Sequence, residues 1–250
     1  MQLFPSAIGP HRQYSVAVLL AGVSLIALAT LAEAATAIGE TTTVKNDVKG
    51  SRGGAAVSLG QGDDVFQSEI IRTGADSSAR IELIDATSVS VAPSSQLTLD
   101  KFVYNGDHTA KSVTLNAVKG SFRFISGNSP SDAYKVNTPQ AAIGVRGTVY
   151  DVQVVGGTTD VVLIEGSAKV CVKGTATCVL LAQSCQSVSL TKSGFSPPPA
   201  PGAKIWSFDG SCSSAVNQTR PDPQIRPDPP LGNGGATPSP PPPPPSQRYN

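Results

Sequence analysis

Apolar and polar positions alternate along this chain in short runs. Arg80 to Leu83 alternates, and Ser88 to Ala92, Gln96 to Tyr104 and Lys111 to Ala117 follow with the same period of two. Ser121 to Ile125, Tyr134 to Asn137, Gly147 to Val155, Asp160 to Glu165, Ala168 to Val172, Thr177 to Ala182 and Gln186 to Thr191 continue the series. A period of two puts every second side chain on one face of a pleated strand, so each run predicts a strand with one buried face. Turn residues separate the runs, at Lys119-Gly120, Gly156-Gly157 and Lys173-Gly174-Thr175-Ala176. Gly156-Gly157 is a good hairpin signal, because the type I′ two-residue turn needs positive φ at both positions. No window of a dozen residues keeps a helical period. The pattern predicts an all-β fold, a single domain of many short strands, as a β-sandwich, a barrel or a β-solenoid-like stack. The rung-like lengths suggest a solenoid, but no repeat of fixed length recurs.

Both ends depart from this alternation. Arg12 precedes the apolar run Val16 to Leu28, and Ala32-Glu33-Ala34 is a small-residue cleavage site, with Ala35-Thr36-Ala37 a second. This reads as a cleaved secretory signal over residues 1–34. The competing reading is an uncleaved anchor, since Val16 to Ala32 carries no charge, but no basic stop-transfer cluster follows it. Of the 21 prolines, 16 lie from Pro197 onward, and so proline-rich a stretch cannot bury enough apolar surface to offset its ordering entropy. The expected division is therefore a signal peptide (1–34), a β domain (38–195), a docked disulfide-linked segment (196–216) and a disordered proline-rich tail (217–250). The tail repeats Arg220-Pro221-Asp222-Pro223 as Arg226-Pro227-Asp228-Pro229 and then carries the run Pro240 to Pro245. It reads as a polyproline spacer, or as a ligand for a proline-binding domain.

Four cysteines, Cys171, Cys178, Cys185 and Cys212, lie seven, seven and 27 residues apart. Zinc sites favour close pairs, so these spacings point to two disulfides and an oxidising compartment. Cys171 and Cys178 are equidistant from the Gly174-Thr175 centre of a hairpin, where a non-hydrogen-bonded pair comes within bridging range. That leaves Cys185 with Cys212 and ties Ile205 to Phe208 back onto the domain. Trp206, the only tryptophan, is read as a docked anchor.

Formal net charge is +1, so no strong field steers the chain to nucleic acid or anionic lipid, and no stable membrane insertion is expected once the signal is cleaved. His108, in the polar turn Asn105-Gly106-Asp107-His108, reads as an ordinary surface residue. Gly60-Gln61-Gly62-Asp63-Asp64 matches one unit of a calcium-binding repeat, but such repeats work as stacks, so a polar turn is expected. No catalytic residue, metal site or cofactor is assigned. Arg146 stands out because it interrupts the apolar stretch Ala141 to Val149. A buried guanidinium needs a carboxylate, so Arg146 is expected to clamp the domain through Asp85, Asp151 or Glu165. Thr138-Pro139 should end a strand, because proline lacks the ladder donor, and Gly144 and Gly147 should mark bends or close backbone approaches.

These residues also carry a family resemblance. Val48-Lys49-Gly50, Leu59 to Val65, Ile71 to Ala79, Leu83 to Thr87, Val91 to Ser95, Val118 to Phe122 and Glu165-Gly166 occur in order. The most specific block is Val136 to Thr148, which contains Thr138, Pro139, Gly144, Arg146, Gly147 and Thr148. Over roughly residues 44–190 the chain resembles the FecR-type domain, the extracytoplasmic domain of the iron-citrate anti-sigma regulator. The regulator's cytoplasmic anti-sigma segment has no counterpart in the 15 residues before Val16, and proline tail stands where its C-terminal βαβ module would be. The resemblance thus implies the β domain alone. The function expected is a non-enzymatic exported module that binds a protein or other ligand in the bacterial envelope, periplasmic or secreted, in the setting of signal sensing. Two alternatives stand beside it: an inert domain with a wall-spanning spacer, and a carbohydrate-binding module with a glycan partner.

Overall fold

The computed structural model describes residues 35–197 and 204–212. The expected signal peptide, residues 198–203 and the chain from 213 onward, including the proline-rich tail, lie outside the described residues. Among the described residues the strands are β1 (Ala37–Lys45), β2 (Val48–Arg52), β3 (Ala55–Ser58), β4 (Asp64–Phe66), β5 (Glu69–Thr73), β6 (Ser78–Leu83), β7 (Ser88–Val91), β8 (Gln96–Gly106), β9 (Thr109–Ile125), β10 (Tyr134–Asn137), β11 (Ala141–Val155), β12 (Thr158–Val172), β13 (Cys178–Leu181), β14 (Ser187–Thr191) and β15 (Gly194–Phe195). The one helical element among the described residues is a single 3-10 turn, Ser131–Ala133.

All fifteen strands join one continuous sheet, and three long strands fold it over on itself. In β9 the buried positions are Ala110, then Val113, Leu115 and Ala117, then Phe122 and Phe124. In β11 those facing the core are Ala141, Ile143 and Val145, then Thr148, Tyr150, Val152 and Val154, with Asp151 buried on the opposite face. In β12 those facing the core are Thr159, Val161 and Leu163, then Ala168 and Val170, with Val162 buried on the opposite face. β9 shifts register near its start, between Ala110 and Ser112, and each of the three strands changes parity in mid-course, at Lys119-Gly120, Arg146-Gly147 and Glu165-Gly166. A one-residue slip in a period of two would turn every later side chain outward. Here the extra residue coincides with a bend, so both arms keep their apolar face toward the same core. Gly120, Gly147 and Gly166 all have positive φ, at 100°, 55° and 83°. Gly166 is also held by space: a Cβ there would strike the Gly147 carbonyl oxygen.

The pairings separate the two arms into two layers. The first runs β3, β2, β5, β8, the N-terminal arm of β9, β10, and then residues 141–146 of β11, 167–172 of β12, and β13. The second runs β4, β1, β6, β7, residues 122–125 of β9, 149–154 of β11, 158–165 of β12, β14 and β15. Neighbours are antiparallel except β9 with β10. One hydrophobic cluster lies between the layers, built from Val48, Ile71, Leu99, Leu115, Ile143 and Val170 on one side and Ile81, Val89, Phe122, Tyr150, Val161 and Leu190 on the other. Burying each such side chain contributes about 1.5–3 kcal/mol. Phe124 stacks on Tyr150 at 5.3 Å between ring centroids.

The all-β expectation holds, and the architecture is a sandwich made by bending. Gly156 and Gly157, at φ 59° and 82°, close β11 onto β12 with Val155 opposite Thr158, the geometry expected of a two-residue hairpin. The expected turn at Lys119-Gly120 is instead a bend inside β9, and the runs Asp160 to Glu165 and Ala168 to Val172 are two arms of β12. Strands β1 to β5 went unread in the sequence. Their alternation is broken by a register shift between Thr41 and Thr43, by the three-residue length of β4 and by the wholly exposed β3.

Candidate functional site

The clamp expected of Arg146 is made by Arg123. Its Nε and Nη2 donate to the Asp151 carboxylate at 2.7 and 2.8 Å, and Nη1 and Nη2 donate to Asp209 at 2.6 and 2.9 Å. The Asp151 side chain is fully buried and that of Arg123 is 15% exposed. Hydrogen bonds from Asp151 first, and Asp209 second, hold the guanidinium far above its ordinary pKa. Asp85 takes no cation. It accepts from the Thr87 N–H, the Ser129 hydroxyl and the Tyr134 hydroxyl at 3.1, 2.7 and 3.0 Å. Burial raises the Tyr134 pKa, which keeps the phenol protonated as the donor to Asp85. Glu165 and Arg146 are both exposed. The apolar run around Arg146 is misleading because the parity change at Arg146-Gly147 sends both residues outward.

The remaining expected motif residues divide by role. Thr138 is buried, and its hydroxyl accepts the N–H groups of Gln140 and Ala141 and the hydroxyl of Thr159, at 3.2, 2.8 and 2.9 Å. With Pro139 it ends β10 and turns the chain into β11. Thr148 is also buried; its hydroxyl accepts the Arg146 N–H at 2.9 Å and donates to the Ser167 carbonyl at 2.7 Å. That bridge holds the β11 bend against the β12 bend. Gly147 supplies the positive φ there. Gly144 was expected to mark a bend or a close approach, yet it has ordinary φ and a Cβ on it would meet nothing within 4 Å. The fold places no steric demand on that glycine.

Gly144 instead forms the floor of a groove of about 690 Å³ on the outer face of the first layer. Gly144 stands opposite Lys169, and Lys169 opposite Leu180. Val136 pairs with Ile143, so Lys135 lies on the other side of Gly144 in the same row. Arg146 sits one row along, opposite Ser167. The groove therefore carries three cationic side chains, Lys135, Arg146 and Lys169, against one carboxylate, Asp132. Leu180, 62% exposed, forms an apolar rim. The facing wall is the segment Ser131 to Tyr134, fixed by Tyr134 on Asp85 and by the Asn128 N–H on the Asp85 carbonyl at 2.8 Å. Sequence reasoning singled out Gly144 and Arg146 but not the lysines, which only strand register brings together.

The disulfides join Cys171 to Cys178 and Cys185 to Cys212, as the hairpin argument expects. The first lies between β12 and β13, with Cα atoms 4.0 Å apart, and Cys171 lines the groove. The second fastens residues 204–212 to the second layer. Ile205 and Cys212 are buried with Val162, and Ile164 and Trp206 pack against them. The Phe208 N–H donates to Asp151 at 2.7 Å. Trp206 is a half-buried partner in this contact, and Ile205 is its buried anchor. His108 lies exposed in the β8–β9 turn at φ 53°. Asp63 closes its turn by accepting the Gly60 N–H at 2.6 Å. Among the described residues no three His, Cys, Asp or Glu side chains gather as a metal set, and no helix is long and apolar enough to cross a membrane.

Residues 69–169, from the first residue of β5 to the lysine beside Gly144, match the family model described as FecR protein. Over this stretch the chain is similar to the FecR-type domain. Lys135, Gly144, Arg146 and Lys169 lie inside the match; all four cysteines lie beyond it. Two crystal structures of a candidate anti-sigma factor from Parabacteroides distasonis ATCC 8503 are similar to this chain at 14% and 16% identity, each with a TM-score of 0.40. The similarity covers 51% of this chain and 57% and 56% of those chains, so the chain spans little more than half their length. No curated protein matches the sequence.

Proposed function

We propose that this chain is an exported, non-enzymatic interaction module of the bacterial envelope, working in signal sensing, whose recognition surface is the groove over Gly144. The observation that carries this reading is an exposed basic cluster around a glycine that the fold itself does not require. A strand glycine with open space above it keeps a floor of bare backbone accessible to a partner. The groove is braced from below by the Thr148 and Asp85 hydrogen bonds, so the surface is held in shape before any partner arrives, which lowers the ordering cost of binding. Export is supported by the apolar leader with its Ala32-Glu33-Ala34 site and by two disulfides, which persist in oxidising compartments. The mature chain would begin at Ala35 or Ile38 and be periplasmic or secreted. The FecR-type match supports a signalling role, and the partner would be an envelope protein.

Site-specific photo-crosslinking in the envelope tests the reading. A crosslinker at Leu180, on the groove rim, should give a discrete adduct. The same group at Val155, 59% exposed at the β11–β12 turn, should not. Equal adducts at both positions, or none at Leu180, would count against the groove as the recognition surface.

A further inference from the structure

We infer that the protein pairs with a second copy of itself through β3, edge to edge and antiparallel, about a two-fold axis at Val57. This goes beyond the proposed function and does not depend on the groove, which lies toward the opposite end of the same layer. Hydrogen-bond parity fixes which groups of β3 are open. Among the described residues β3 pairs with β2 alone. The Leu59 N–H donates to the Val48 carbonyl at 2.9 Å, which makes Val48 and Leu59 a hydrogen-bonded pair. In an antiparallel ladder such pairs alternate with open ones, so Gly50–Val57 and Arg52–Ala55 are also bonded across to β2. Ala56 and Ser58 fall between them and turn N–H and C=O toward the open edge. A two-fold axis at Val57 sets Ala56 of each copy opposite Ser58 of the other, so every outward group is satisfied at once. An axis at Ala56 or Ser58 would forfeit half of these bonds, because Gly54 lies in the turn and the Gly60 N–H already goes to Asp63.

The side chains suit this register. Val57 lies opposite Gly50, on the inward face with Val48 and Leu59, yet is 57% exposed because the layer ends there. On the axis it occupies an open pair, where facing Cα atoms come within about 4.5 Å and side chains touch, so each valine covers the other. Residues 53–60, Gly-Gly-Ala-Ala-Val-Ser-Leu-Gly, carry no charge and no proline, the two guards that commonly keep edge strands apart. The second layer has both: Asp64 stands in the short β4, and Pro197 follows close on β15. No like charges meet across the junction, since Lys49 leads through Ser58 to Ala56 and Ser51 of the second copy, and Gly50 leads through Val57 to its own equivalents. A second copy brings the same small side chains and the matching valine by symmetry, which favours it over a foreign strand. With four residues in β3, the contact is a fraction of the roughly 1,200 Å² that stable interfaces bury. The dimer is therefore transient, forming at about 0.1–1 mM, and it joins two first layers into one sheet with both outer faces on the same side.

Sedimentation equilibrium of the oxidised protein, from roughly 0.01 to 1 mM, tests the pairing. The expected result is a reversible monomer–dimer equilibrium that stops at the dimer, because a two-fold contact closes on itself. Val57→Lys sets two ammonium groups against each other on the axis and should weaken the dimer roughly tenfold or more. The melting temperature of the dilute variant should match wild type, since the side chain is exposed. Val57→Cys adds a lone thiol, as the native cysteines are all paired, and mild oxidation should join it to its mate across the axis. Val155→Cys, comparably exposed at the β11–β12 turn, should join far more slowly. A protein that stays monomeric up to about 1 mM, a dimer indifferent to Val57→Lys, or equal crosslinking at both cysteines would overturn the inference. So would growth beyond the dimer that Leu180→Lys abolishes, which would mark β3 pairing with β13 of the next copy in an open chain.

Discussion

Removal of the Arg123 guanidinium should be among the most damaging single changes to this domain. Arg123→Ala strips the cation from Asp151, whose side chain is fully buried between the second layer and the segment 204–212. Breaking a buried ion pair from one side costs about 3–5 kcal/mol, because the remaining charge has no compensation. Asp151 keeps the Phe208 N–H at 2.7 Å, which places the expected loss at the lower end, about 3 kcal/mol. The contact to Asp209 adds little: that carboxylate is 50% exposed, and exposed pairs contribute at most about 1 kcal/mol. Urea unfolding of the oxidised protein, followed by Trp206 fluorescence, reads the difference. With a slope of roughly 2 kcal/mol per molar urea, the Arg123→Ala midpoint should fall by roughly 1.5 M. Asp209→Asn should move it by less than about 0.5 M. Equal small shifts for both variants would show that Asp151 is not held by Arg123, and would refute the electrostatic account of this face.

Three further outcomes follow from the same geometry. Gly166→Ala should destabilise strongly or fail to accumulate, since its Cβ meets the Gly147 carbonyl oxygen at positive φ, whereas Gly144→Ala should stay within about 0.5 kcal/mol of wild type in urea unfolding. Separate Cys171→Ser/Cys178→Ser and Cys185→Ser/Cys212→Ser proteins should each lose roughly 2–4 kcal/mol, the larger loss falling on the pair that closes the longer loop. Asp209 is held well below the ordinary carboxyl range by Arg123 first and Ser211 next, so its stabilising contribution is present above its unfolded pKa of about 3.9 and declines as pH falls below that; the wild-type advantage over Asp209→Asn should be constant from neutral pH to about 4.5 and shrink beneath it.

Most of the β strands from Arg80 onward were legible because they alternate cleanly and glycines mark turns such as Gly156-Gly157 and Lys173-Gly174. The Cys171–Cys178 bridge was legible for the same reason, since a hairpin fixes which residues face one another. The bends at Gly120, Gly147 and Gly166 were harder to read. A parity change inside a strand looks like a turn when only local pattern is available, and the two-layer architecture rests on three such bends. Arg146 was misplaced because an apolar neighbourhood in sequence does not fix which face a residue takes once parity slips. Arg123 escaped notice because its partners are 28 and 86 residues away. The groove was half legible: Gly144 and Arg146 lie in the Val136 to Thr148 block, but Lys135 and Lys169 join them only through pairing across β10, β11 and β12.

Under the proposed function, the face around Arg146 recognises a partner rather than supporting the fold. Charge reversal at Arg146, with stability and binding measured on the same protein, tests it most directly. Arg146→Glu should unfold in urea within about 0.5 kcal/mol of wild type, as expected of an exposed side chain, while the crosslinked adduct from Leu180 disappears. An Arg146→Glu protein that is strongly destabilised, or one that is stable and still forms the adduct at wild-type yield, would contradict the account.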